Sequence, residues 1–77
     1  MSVAPGIMGN RMHTHLLDFE RTHPRHNGFK EEAIRRDLGL TPARYYVLLG
    51  RAAMSAEGMA HDAVTARRVR ERWNAAA

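Results

Sequence analysis

Apolar residues recur along this chain at three- and four-residue spacing, in stretches separated by short polar, glycine or proline breaks, and that rhythm predicts helices. The first helix is expected from Met12 to Thr22, with Met12, Leu16, Phe19 and His23 along one face. It ends where Pro24 disfavours helical backbone in His23 and where Asn27-Gly28 signals a turn. A second helix is expected from Lys30 to Asp37, with Glu31 and Glu32 complementing the dipole of its first turn and Ala33, Ile34 and Leu38 as its apolar stripe. Gly39 stands where the chain must leave that helix, and Leu40 enters the core. Thr41-Pro42 then opens the next helix, threonine as N-cap and proline at the first helical position.

That third helix is expected over Pro42 to Ala53, burying Tyr45, Leu48, Leu49 and Ala52. Ser55 to Gly58 reads as a break, and Gly58 to His61 as a short helical turn. Asp62 reads as the N-cap of a last helix from Ala63 to Asn74, anchored by Val64, Val69 and Trp73. Residues 1–10 hold Pro5, Gly6 and Gly9 without periodicity and read as a flexible arm, and 75–77 read as a frayed end. The pattern predicts an all-α fold: one domain over 11–74, a small bundle of four to five helices containing a helix-turn-helix.

Composition narrows the function. At 77 residues the chain makes one small domain of marginal stability, which dimerisation through the first or last helix would strengthen. With no cysteine there is neither a disulfide framework nor a thiolate metal site. The first residues lack the basic and apolar regions of a secretion signal, so a soluble cytoplasmic protein away from membranes is expected. Twelve basic residues against eight acidic ones give a net charge of +4, and all but Lys30 of the basic residues are arginine. Arginine bias also follows from coding composition, but placement adds a second signal. Residues 63–77 carry Arg67, Arg68, Arg70 and Arg72 against Glu71 alone. Such an excess favours a polyanionic partner, although a solvated charged face produces the same string.

Two helices joined by a short glycine-containing turn form a helix-turn-helix, whose second helix enters the DNA major groove. Here Ile34, Leu38, Leu40, Tyr45 and Leu48 fall where the two helices must pack and Gly39 falls in the turn, with Arg35 where a small residue usually lets the helices cross closely. Helical hairpins that touch no nucleic acid can carry the same turn. Used on double-stranded DNA, helix 42–53 would present Thr41, Ala43, Arg44, Tyr46 and Val47. A guanidinium bridges the two acceptors of guanine, which makes Arg44 the candidate base contact. Thr41 and Tyr46 suit phosphates, and Arg51, Arg67, Arg68, Arg70 and Arg72 would add sequence-independent attraction. The close pairs His13/His15 and His23/His26 lack a recognisable metal spacing and read as solvated histidines. No nucleophile with an activating base and no glycine-rich phosphate loop is present, so no enzyme activity and no cofactor are expected.

Four short motifs, Phe19-Glu20-Arg21, Gly28-Phe29-Lys30-Glu31, Arg44-Tyr45-Tyr46 and Asp62 followed by Arg67-Arg68-Val69-Arg70, resemble the framework of a small actinobacterial and actinobacteriophage family known as a domain of unknown function. The likeness covers about residues 16–72. It implies a helix-turn-helix like that of sigma-factor-like and regulator domains, and hence a transcriptional regulator or nucleoid-type factor. The alternative reading is a protein-interaction module, of phage or host type, that engages a transcription or nucleoid component without direct DNA readout. The apolar content around Val47, Leu49 and Trp73 motivates that alternative.

Overall fold

The computed structural model describes the backbone of residues 5–76 and the side chains of residues 12–73. Among the described residues the chain folds into α1 (Pro5–Thr22), α2 (Gly28–Ala33), which runs on into a π-helical turn (Ile34–Leu38), α3 (Pro42–Met54), α4 (Ala56–His61) and α5 (Ala63–Ala76). The fold is all-α. Helix α1 starts at Pro5, earlier than Met12, so the stretch read as an arm is helical from Pro5 onward; a proline is tolerated in a first turn, where its missing N–H has no helical partner. The rest of that arm, residues 1–4, lies outside the described residues, as does Ala77 of the expected frayed end, and α5 continues to Ala76.

The junctions are settled by local chemistry. Helices α2 to α5 each open on a side-chain oxygen that accepts the N–H three residues on: Asn27 from Lys30 at 2.9 Å, Thr41 from Arg44 at 3.1 Å, Ser55 from Gly58 at 2.9 Å and Asp62 from Thr65 at 3.0 Å. Each such cap contributes about 1 kcal/mol. The Asn-Gly turn signal is therefore also a helix start, and the expected break at Ser55 to Gly58 is a single residue, Ser55, because its hydroxyl opens α4 at once.

The second helix changes pitch before it ends. Gly39 adopts the left-handed conformation (φ 67°), and its N–H and that of Leu40 reach back to the carbonyls of Arg35 (3.2 Å) and Ile34 (3.5 Å). A π turn takes one residue more than an α turn. Ile34 is buried against the core, as its periodicity predicts, and Arg35 faces solvent. The anticipated crowding at Arg35 does not arise.

Helix α3 is the centre of the molecule. Its Tyr45, Leu49, Ala52 and Ala53 are buried against Leu16, Leu17 and Phe19 of α1, Ala33 and Ile34 of the second helix, and Ala66 and Val69 of α5, with Leu38, Leu40, Tyr46 and Leu48 packed around them. Close approach of α5 to α3 depends on Gly50, where any Cβ would collide with the Trp73 ring. Met12 and Val64, assigned to the core by periodicity, are exposed, and Trp73 only covers Gly50 from the outside. Leu49 is fully buried and cannot form part of an exposed apolar surface. No helix among the described residues is long and apolar enough to cross a membrane.

Candidate nucleic-acid interface

The interior holds charges as well as hydrocarbon. Glu20 of α1 and Lys30 of α2 are 3% and 1% exposed, and Lys30 Nζ donates to Glu20 Oε1 at 2.7 Å. The same oxygen accepts the Tyr45 hydroxyl at 2.6 Å, while Glu20 Oε2 accepts Arg72 Nη1 at 3.2 Å. Four helices thus meet at one carboxylate. Lys30 Nζ also lies 5.7 Å and 5.2 Å from the ring centroids of Tyr45 and Tyr46, within range of a cation–π attraction. Burial, followed by the hydrogen bond to Glu20, pushes the Tyr45 hydroxyl far above its ordinary pKa, so it stays a donor.

Two of the four C-terminal arginines are drawn into this framework. Arg72 serves Glu20, and Arg70 Nη1 donates to the Ala53 carbonyl at 2.8 Å, capping the last turn of α3. Arg67 pairs with Glu71 one turn on, at 3.8 Å. Arg68 alone among the four is exposed and makes no ion pair among the described residues. Alternating directions along α5 divide the basic string between fold and solvent, so the four residues do not form one face.

The outward face of α3 is different. Ala43, Arg44, Val47 and Arg51 are all exposed and share one side of the helix by their spacing. The helix contains no acidic residue, and the guanidinium groups of Arg44 and Arg51 make no ion pair among the described residues. They stand about 10 Å apart along the axis, seven residues at 1.5 Å each. Thr41 is exposed at the start of the helix with its hydroxyl oxygen accepting the Arg44 N–H. The Tyr46 hydroxyl is not turned outward to a phosphate: it lies 2.7 Å from His26 Nδ1, while His26 Nε2 lies 3.3 Å from Glu31 Oε2. The His26 ring thus bridges the Tyr46 hydroxyl and the Glu31 carboxylate through its two nitrogens. Beside this face, Arg36 is tied to Asp37 at 2.9 and 3.3 Å, and that bond holds the Asp37 carboxyl below the usual range.

Of the predicted interface, then, Thr41, Ala43, Arg44, Val47 and Arg51 share the α3 face; Tyr46 flanks it; and Arg67, Arg68, Arg70 and Arg72 lie on α5. The polar centre built on Glu20 and Lys30 was not anticipated. Its one sequence signal is Lys30 itself, the single lysine in a chain that otherwise uses arginine. A slender ammonium fits a closed site at a carboxylate where a planar guanidinium with five donors does not.

The sequence profile of a family described as Protein of unknown function (DUF3263) matches residues 10–76. The chain belongs to this family. No curated protein and no solved structure gives a significant match to it. Within the DUF3263 chain, the motifs noted from sequence divide between interior and surface. Phe19, Glu20, Lys30, Tyr45 and Val69 are buried, and Arg70 bonds the α3 terminus. Arg44 is the motif residue that stands on the outward face of α3.

Proposed function

We propose that this DUF3263 protein is a cytoplasmic DNA-binding factor of the transcriptional-regulator or nucleoid type, with α2, its π turn and α3 acting as a helix-turn-helix and α3 entering the major groove of duplex DNA. The observation that carries this reading is the placement of Arg44 and Arg51 together on one acid-free, outward helix face, where neither makes an ion pair among the described residues; Arg25, Arg35 and Arg68 also lack one, but they lie on other segments. The three-residue turn Gly39 to Thr41 and the cap at Thr41 support it, because they fix the start of α3 beside the second helix, as a helix-turn-helix requires. Arg44 reaches base edges, Val47 meets a thymine methyl, and Arg51 neutralises a phosphate.

The test is fluorescence anisotropy on a labelled random-sequence duplex titrated with salt. Log affinity should fall linearly with log salt, and the Arg44→Ala/Arg51→Ala double variant should bind more weakly and flatten the slope by about 0.9, the one phosphate contact being that of Arg51. Absence of binding at low salt refutes the proposal. In that event the exposed Val47 and Met54, 48% and 70% accessible on the same face of α3, favour a protein partner from the transcription or nucleoid machinery.

A further inference from the structure

A second basic feature lies away from the α3 face, between the C-terminal end of α1 and α5. Arg21, Thr65, Arg68 and Arg72 line a narrow cleft with the buried Glu20 also in its wall, and the enclosed space is about 20 Å³. That is room for one oxygen-sized group.

Charge around the cleft does not cancel. Glu20 carries one negative charge against two positive ones, buried Lys30 at 2.7 Å and half-exposed Arg72 at 3.2 Å, so the network is positive overall and its excess charge sits at the opening. Arg72 binds Glu20 through Nη1 alone, and its side chain is 49% exposed, leaving further N–H donors at the opening. Arg68 stands one turn before Arg72 on the same side of α5 and has no acidic partner among the described residues. Arg21, at the rim, is held 3.6 Å from Asp62, whose carboxylate is already bound to the Thr65 N–H and hydroxyl.

We propose that this cleft is a phosphate-oxyanion site, in which Arg68 and Arg72 grip the anion, one oxygen enters the opening, and Arg21 closes the rim. Resting on the DNA reading above, its occupant is a backbone phosphate of nucleic acid, and free phosphate is the other source of the same oxyanion. The site also ties occupancy to stability, because the guanidinium that holds the anion holds Glu20.

The experiment is thermal unfolding in inorganic phosphate against chloride at matched ionic strength, for the wild type, Arg68→Ala and Arg68→Glu. Arg68 is exposed and unpaired, so these variants should melt like the wild type in chloride. The wild type should show a saturable rise in Tm of roughly 5–10 °C at about ten times the dissociation constant. Arg68→Ala should lose most of that rise and Arg68→Glu all of it, whereas Arg44→Ala/Arg51→Ala should keep it. A rise that is absent in the wild type, or that persists in Arg68→Glu, overturns the site. On duplex DNA, Arg68→Ala should flatten the salt slope by about 0.9. A phosphate effect lost in Arg68→Ala without any DNA binding retains the oxyanion site and assigns it to free phosphate. DNA binding with an unchanged slope and no phosphate effect removes the site and leaves the α3 reading standing.

Discussion

Replacing Glu20 by glutamine tests the central claim about what holds this fold together. The substitution preserves shape and one acceptor oxygen but removes the negative charge from a site where Lys30 is 1% exposed and has Glu20 as its ion-pair partner, at 2.7 Å. An ammonium left in that position must remain charged without compensation or give up its proton, and breaking a buried pair in this way costs about 3–5 kcal/mol. The partners are unequal. Glu20 in a Lys30→Met variant still keeps Tyr45 at 2.6 Å and Arg72 at 3.2 Å, so that change should cost less, about 1–3 kcal/mol. For a domain of 77 residues, with a total stability of roughly 4–12 kcal/mol, the first change removes a large share. Urea unfolding followed by circular dichroism should rank wild type above Lys30→Met above Glu20→Gln. The Glu20→Gln/Lys30→Met double variant should be more stable than the sum of the single losses predicts, because neither charge is then buried alone. A loss below about 1 kcal/mol for Glu20→Gln, or strict additivity in the double variant, would falsify the view that this network is a coupled unit.

Three further outcomes follow from particular residues. Gly39→Ala places a Cβ at φ 67° and should lower stability by roughly 1–2 kcal/mol in the same urea assay. Asp62→Ala removes the α5 cap and should cost about 1 kcal/mol near neutral pH. Bonds from the Thr65 hydroxyl, and next from its N–H, hold the Asp62 carboxyl below its unfolded value. That contribution is therefore complete above the ordinary aspartate pKa of about 3.9 and lost as pH falls through the lower folded value, so the two proteins should converge in acid. A gap that stays constant on acidification would contradict this. Gly50→Ala should push the Trp73 ring off α3, seen as a red-shifted tryptophan emission with a loss of about 1–3 kcal/mol.

Residues whose structural role is satisfied within one helical turn were legible along the chain. Thr41-Pro42, Gly39 and Asp62 behave as their local chemistry requires, since a cap needs only its own side chain and an N–H three residues away. The outward side of α3 was legible too: Tyr45, Leu49 and Ala52 mark the buried side, leaving Ala43, Arg44, Val47 and Arg51 facing out. Apolar periodicity was a weaker guide at the ends of helices. Met12 and Val64 lie on the right spacing, but the neighbouring helices do not reach far enough to cover them. Tertiary structure alone decided the rest. Residues 20, 30, 45 and 72 are remote in sequence and polar in type, and no spacing rule joins them. Their burial becomes favourable only when four helices meet and each charge finds its partners, and that meeting also turns Arg70 and Arg72 inward from the basic string on α5. The burial of Ile34 was legible from its periodicity, whereas the π pitch of Ile34–Leu38 was not, because no local pattern of residues marks it.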